Sequence, residues 1–384
     1  MIFISSHIYK CPCRYIITSV LITLFVISII ATILLVLLIK STTKRIIPSN
    51  IDNASGLRWN SRGITVAGIG GSPGPANNQL SFPYDIFVDY ANNLYIADGE
   101  NNRIQKYLFG SSIGQRVAGN VTGGSSSDKL CFPQRVLIDS NENLYITDAC
   151  NHRIQFWRKG ADSGTTIAGT GKKNKQNNVV FSSYNSLYLG PAGNSTNQLY
   201  YPYGIVLHPI SNTLYIAENV NHRIMSYKLG NNSGTLVFGF NGGGNSNTQL
   251  SWPVGLHFDI LTNSLVIANS GAHKIVRYVL GSSYWTVIAG DISGVSGTTP
   301  AQFNDPIEAI FDPMGNLYVA DRGNNRIQFF YTGQLNGTTI AGVPGVFAAN
   351  ATTLAVPCSV RLDSQLNLYV ADSNNNRIQK FLRY

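Results

Sequence analysis

Leu94–Tyr107 reads LYIADGENNRIQKY, and five strings of the same build follow it. They are LYITDACNHRIQFW from Leu144, LYIAENVNHRIMSY from Leu214, LVIANSGAHKIVRY from Leu265, LYVADRGNNRIQFF from Leu317 and LYVADSNNNRIQKF from Leu368. Their starts lie 50, 70, 51, 52 and 51 residues apart. Within each string a short apolar run, rich in β-branched and aromatic residues, is followed by Asp, Asn, Gly or Ser and then by a second run. That is the pattern of two strands joined by a tight turn. Self-similarity at a period of about 50 residues marks a repeat architecture.

Two further elements share the period. A proline segment precedes each string: LSFPYDIFVD, LCFPQRVLID, LYYPYGIVLH, LSWPVGLHFD, FNDPIEAIFD and LAVPCSVRLD. Before that comes a short run ending in Gly: ITVAG at Ile64, then QRVAG, TTIAG, TLVFG, TVIAG and TTIAG. Four short strands per unit, six units and no helical periodicity predict an all-β, six-bladed β-propeller over residues 63–384. The first run, Ile64 to Gly68, has no strands before it, and the chain ends just after its last RIQKF strand. Residues 64–68 are therefore expected beside residues 377–382, closing the ring and removing an exposed edge.

The 384 residues are 44% hydrophobic, which excludes a disordered chain, but only 12% charged, which disfavours a helical enzyme whose exposed faces need Glu and Lys. The net charge of +9 would suit a nucleic-acid binder if it lay on the globular part. It does not. Residues 1–62 carry seven basic side chains against Asp52 alone, net +6, which leaves only +3 for the repeats. From Tyr15 to Ile39 there is no charge. A helix of that length spans roughly 37 Å, enough to cross a bilayer core. The stretch is longer than a signal-peptide core and runs into Lys40, so 15–39 reads as an uncleaved anchor, with a tail at 1–14 and a juxtamembrane linker at 40–62. Flanking charges (Lys10 and Arg14 before it; Lys40, Lys44 and Arg45 after it) orient it weakly and lean towards a cytoplasmic C-terminal side. Sequons begin at Asn53, Asn120, Asn194, Asn231, Asn336 and Asn350, about the number that 39 Asn would produce by chance.

In these strings the chain resembles the NHL-repeat family of six-bladed propellers, whose Asn-His-Leu-type motif reads here as Asn-His-Arg-Ile at Asn151 and Asn221. The likeness covers all six units. It implies the fold and leaves function open, because relatives serve as protein- or RNA-binding platforms in tripartite-motif ubiquitin ligases, as sensor domains, and as a copper- or zinc-dependent peptide-amidating lyase.

An acid recurs five residues before a base: Asp98/Arg103, Asp148/Arg153, Glu218/Arg223, Asp321/Arg326 and Asp372/Arg377, decaying to Asn269/Lys274 in the fourth unit. A catalytic site needs one such pair, so five point to bracing of the same turn in every blade, with Arg supplying a forked donor. Cys131 precedes its strand proline by two residues and Cys150 follows the next strand. Hairpin geometry makes them neighbours, and the amidating lyase carries a similar pairing, so they read as a disulfide or as two buried thiols. A disulfide would place the propeller outside the cytosol, as a type II single-pass protein. On that topology Cys11 and Cys13 are palmitoylation candidates, or bystanders.

In the lyase the metal-binding His residues directly follow the strand proline. Here those positions are Tyr84, Gln134, Tyr203, Val254, Ile307 and Cys358, none of them His. The next positions, Asp85, Arg135, Gly204, Gly255, Glu308 and Ser359, offer two carboxylates with an arginine between, a poor calcium cage. No cofactor or metal is expected. Tyr84, Asp85, Arg135, Tyr203 and Glu308 are the candidate ligand contacts at the tunnel mouth, and the simpler alternative is that they bond one another across it. The third unit carries an insertion at 172–197 with Lys172, Lys173 and Lys175. Its lysines read as a solvated loop, and the insertion is a candidate specificity element. The expectation is a membrane-tethered, non-catalytic module for a protein or peptide ligand. The alternatives are an extracellular propeller lyase or hydrolase and an RNA-binding or substrate-recruiting platform.

Overall fold

The computed structural model describes residues 56–169 and 195–384. The apolar stretch 15–39, Cys11, Cys13, Asn53, Asn194 and the Lys172–Lys175 cluster lie outside the described residues. Among the described residues no helix is long and apolar enough to cross a membrane.

The LYIAD-type runs form strands that are buried on both faces, which is why they are apolar at nearly every position but the last, Thr147 of the second repeat being the exception. In Leu94–Asp98, Leu94 and Ile96 pack with Tyr369, Ala371 and Ile378 of the last repeat. Tyr95 and Ala97 pack with Val136, Leu144, Ile146 and Trp157 of the next one. Period-two alternation thus sends successive side chains into opposite inter-blade cores.

The described strands form six four-stranded antiparallel sheets. The first blade comprises Pro83–Val88, Leu94–Asp98, Arg103–Tyr107 and Gly114–Gly119; the second Pro133–Ile138, Leu144–Asp148, Arg153–Trp157 and Thr165–Ala168. The third comprises Pro202–Leu207, Thr213–Glu218, Arg223–Lys228 and Thr235–Phe238; the fourth Pro253–Asp259, Ser264–Asn269, Lys274–Val279 and Thr286–Gly290. The fifth comprises Pro306–Phe311, Leu317–Asp321, Arg326–Phe330 and Thr338–Gly342. The sixth takes Pro357–Leu362, Leu368–Asp372 and Arg377–Phe381 from the end of the chain and Ile64–Gly68 from its beginning. In that seam Ile64 pairs Lys380, Thr65 pairs Gln379 and Gly68 pairs Arg377.

Packing extends upstream of this strand. Trp59 is buried, donates its indole N–H to the Leu366 carbonyl at 2.8 Å, and packs on Tyr318 and Phe329 of the fifth blade.

Strand direction sorts the connections into two faces. The proline ends of the inner strands, the turns after the second strands and the links between blades share the proline face. Turns after the first and third strands share the opposite face, together with the C-terminal Tyr384, whose N–H donates to the Arg58 carbonyl.

The five acid–base pairs close as buried ion pairs at 2.7–2.8 Å. Asp98 shows their use: one oxygen accepts the Ser81 N–H at 2.7 Å and the other accepts Arg103 Nε. The remaining Arg103 nitrogens donate to the carbonyls of Pro75, Ala76 and Gln79 in the incoming link. In the fourth blade Asn269 keeps the backbone acceptor role, taking the Ser251 N–H at 2.7 Å, while Lys274 reaches the Ile292 carbonyl.

A second repeated device joins neighbouring blades. Asn102, His152, His222, His273, Asn325 and Asn376 occupy one turn position, all at φ of 52–56°. Each accepts the backbone N–H of the residue before the next blade's proline: Phe132, Tyr201, Trp252, Asp305, Val356 and, across the seam, Phe82. Asn Oδ1 and His Nδ1 stand equally far along their side chains, so either residue serves. The six pre-proline residues are themselves left-handed, at φ of 48–56°. For the β-branched Val356 that conformation costs on the order of 1–3 kcal/mol, which its latch and proline must hold in place.

Candidate functional site

The inner strands line the tunnel, and the residues two past each proline meet near its middle. Asp85 of the first blade accepts from Arg135 of the second at 3.0 Å, and from Ser359 and Arg361 of the sixth at 2.8 and 2.9 Å. Arg135 also pairs with Glu308 of the fifth blade, directly across the ring, and Arg361 reaches Glu308 at 3.2 Å. Gly204 and Gly255 fill the same positions in the third and fourth blades because no more room exists. A Cβ on Gly204 would lie 2.0 Å from the Val254 carbonyl oxygen, and one on Gly255 2.5 Å from that of Ile307. The tunnel is therefore bridged by two carboxylates and two guanidiniums whose charges cancel. Burial works to lower the Arg135 pKa and Asp85 opposes it.

Above this bridge, towards the proline face, sit the residues that directly follow the prolines. Tyr84 and Tyr203 meet edge to face with ring centroids 6.1 Å apart. Gln134 lies beside the Tyr84 and Tyr201 phenols, yet neither of its amide atoms closes a well-formed hydrogen bond, and nor does the Tyr203 hydroxyl. Both residues are buried. Burial pushes the Tyr84, Tyr201 and Tyr203 phenols far up, so all three stay neutral. Burial likewise raises Cys358, which donates to the Val356 carbonyl and is a shielded thiol. Phe82 and Phe132 pack on Tyr84, while Trp252 of the fourth blade stands 55% exposed on the same face. Arg322 Nε donates to Asp305 at 2.7 Å, so this charge is also paired.

The five candidate contacts thus divide. Asp85, Arg135 and Glu308 belong to the ionic bridge, whereas Tyr84 and Tyr203 belong to the mouth above it. Arg361 completes the bridge and had no signal in the repeat pattern: its counterparts are Phe87, Leu137, Val206, His257 and Ile310. Gln134, Trp252 and the pre-proline aromatics complete the mouth. A bulky residue before most of the prolines was the visible trace of the aromatics, while Gln134 stood among the six positions that follow the prolines.

The propeller's histidines are held apart by separate tasks. His152, His222 and His273 are latches; His208 accepts the Ile210 and Ser211 N–H groups in a turn, at 3.2 Å each. His257 lines the tunnel, where burial pushes it down to about 4, Arg361 adding to the effect and Asp259 opposing it. Among the described residues no three His, Cys, Asp or Glu side chains converge as metal ligands would. The Cys150 N–H donates to the Cys131 carbonyl at 3.2 Å, making the two neighbours, but no disulfide joins them in this structure.

Residues 130–156, 303–330 and 354–381 match the NHL repeat. These segments are blade strands and turns of the second, fifth and sixth sheets in a closed ring of six. The chain carries NHL repeats and folds as a six-bladed β-propeller. Comparison of this NHL propeller with curated proteins finds no match. Solved structures share its fold at low identity. An auxiliary nutrient binding protein from Bacteroides thetaiotaomicron aligns with a TM-score of 0.61 and 14% identity, over 87% of this chain and 79% of that one. A protein described as a gluconolactonase from Xanthomonas campestris aligns at 0.53 and 12%, over 87% and 99%. A streptogramin B lyase aligns at 0.51 and 12%, over 85% and 98%. At such identities the likeness concerns the fold alone.

Proposed function

We propose that this NHL propeller is a membrane-tethered, non-catalytic binding module that takes a neutral segment of a protein or peptide at the mouth on its proline face. One observation carries the reading: the Gln134 amide and the Tyr203 hydroxyl are buried without well-formed partners beneath an aromatic rim. Buried polar groups are nearly always satisfied, so orphans at a mouth mark where a ligand's donors and acceptors fit. The ligand would be neutral there because the charges below it, and Arg322 beside it, are already compensated. That compensation weighs against nucleic acid, which needs unpaired cations. It also weighs against calcium-dependent hydrolysis, since Asp85 and Glu308 are each held by arginines.

The tether rests on the uncharged stretch 15–39, and an outside location rests on the Cys131–Cys150 adjacency. The test is selection of a displayed random-peptide library on the full chain in detergent. Enriched peptides should lose at least tenfold in affinity against Trp252→Ala and Gln134→Ala, and nothing against Ser140→Ala on the opposite face. Peptides indifferent to Trp252 and Gln134 would remove the mouth as the site.

A further inference from the structure

Trp252 stands where the aromatic rim of the mouth meets an inter-blade latch. Its backbone is left-handed, at φ of 48°, although it is bulky and precedes Pro253. Both features favour an extended backbone, so its surroundings must hold the observed conformation. The polar part of that hold is the Trp252 N–H, which donates to His222 Nδ1 at 3.0 Å. All six latched residues share the left-handed backbone, but Phe82, Phe132, Tyr201, Asp305 and Val356 are half-buried or buried and Trp252 is exposed. Packing assists the latch at those five positions. At Trp252 it assists least.

The latch is also a titratable group. Neutral imidazole accepts at Nδ1 while Nε2 carries the proton, whereas imidazolium donates from both nitrogens. Protonated His222 would face the Trp252 N–H with an N–H of its own, and the freed main chain would relax towards the extended form that a pre-proline residue favours. Asn102, Asn325 and Asn376 do not titrate, so the boundaries that hold Phe132, Val356 and Phe82 stay latched in acid. No charge facing His222 resists this change. The link 239–250, whose Gly243 lies against the imidazole, carries no ionisable side chain. On its own string Glu218 and Arg223 are paired with each other at 2.8 Å. Burial lowers the His222 pKa, which puts the change below the ordinary value of about 6.5.

We propose that His222 is the positioning residue of the mouth: neutral, it presents Trp252 to the ligand, and protonated, it lets the tryptophan go, so that the site releases its ligand in mild acid. The proposal rests on the reading of the mouth as the binding site.

The test labels the full chain in detergent with fluorotryptophan and follows it by fluorine NMR from pH 7.5 to 5, which needs no ligand. The chain has four tryptophans, and the Trp252 resonance is the one missing from Trp252→Phe. It should move with a midpoint below about 6.5, while those of the buried Trp157 and Trp285 stay in place. His222→Gly keeps the left-handed backbone and removes the acceptor, so its Trp252 resonance should lie near the parent's acid position at every pH. In His222→Asn the resonance should not move with pH. A Trp252 resonance that fails to titrate in the parent, or titrates equally in His222→Asn, overturns the proposal, as does a shift shared by all the tryptophans. Peptides selected on the chain supply the second readout. Between pH 7.5 and 5.5 their affinity for the parent should fall by about tenfold, as on removing Trp252, and by much less for His222→Asn. Peptides that need Trp252 yet bind equally at both pH values overturn the proposal too. Peptides indifferent to Trp252, with its resonance still governed by His222, remove the mouth as the site and leave the positioning intact.

Discussion

Asn376 Oδ1 accepts the backbone N–H of Phe82 at 2.9 Å, joining the sixth blade to the first across 294 residues of sequence. Five equivalent bonds join the other neighbours, so the inter-blade latch is a repeated part, and the seam uses the same part as every other boundary.

Removing the seam latch should loosen the ring without changing its fold. Asn376→Gly keeps the left-handed backbone at no steric cost and deletes only the acceptor. An unsatisfied, half-buried N–H costs about 1–3 kcal/mol, and denaturant unfolding should show a loss of that size. Asn376→His should recover most of it, because three other boundaries already use His. Equal stability of the Gly and His variants would show that the bond contributes nothing.

Histidine latches work only when neutral, since Nδ1 must accept. Burial lowers the pKa of His222 and of His273, where Asp305 opposes the effect and Lys274 adds to it. Groups depressed on folding contribute stability that is complete above the unfolded value of about 6.5 and lost as pH falls below it. Thermal melts from pH 7.5 to 5 should therefore show a falling melting temperature. His222→Asn with His273→Asn should flatten that fall while leaving the pH 7.5 value nearly unchanged, as Asn does the same work at Asn102, Asn325 and Asn376. The slope that remains belongs partly to His257, buried in the tunnel with its pKa down to about 4. A double variant with the parent's full slope would separate latching from acid sensitivity.

The ionic bridge should behave as a buried network whose parts are not separable. Arg135→Met leaves Asp85 and Glu308 facing Arg361 alone, and breaking a buried pair in this way costs about 3–5 kcal/mol. Glu308→Gln, which keeps the shape and removes one charge, should cost clearly less when combined with Arg135→Met than when made alone. Simple additivity in the double variant would argue against a shared network.

The blades, their order and the seam were readable because each follows from local pattern and from a count of strands that closes only if the first run joins the last. The turn-bracing acids and bases were readable because they recur at fixed spacing. Arg361 was not, since its contact with Asp85 arises from ring geometry and breaks the repeat in a single blade. The latches were half visible: one position alternating between Asn and His stood in every string, but its partner is a main-chain N–H of the next blade, 30 to 49 residues on or back across the seam, which no side-chain motif reports. Trp59 stood in what read as linker, and only the fifth-blade rings beneath it reveal that it is core.

Cys131 and Cys150 should become covalently linked when the chain is made through the secretory pathway. The main-chain bond between them already sets them side by side, and linking residues this close in sequence stabilises by about 3 kcal/mol. Non-reducing peptide mapping should find one linked fragment containing both cysteines, and reduction should lower the melting temperature. Separate peptides from secreted material would leave two thiols, Cys150 buried and Cys131 half-buried, and remove a main support for the outside location.

The seam strand and Trp59 should fail in different ways. Trp59→Ala empties a site against Tyr318 and Phe329, and truncating a buried tryptophan costs about 3–5 kcal/mol while the ring stays closed. Deleting residues 63–68 instead strips the partner from Arg377–Phe381 and leaves an unpaired strand edge in the sixth blade. The first variant should remain a monodisperse species that melts cooperatively at lower temperature. The second should self-associate through the exposed edge, visible by size-exclusion chromatography with light scattering. A deletion variant that stayed monomeric with parental stability would mean that the six blades close without the seam, and that inter-blade packing and the latches alone hold the ring.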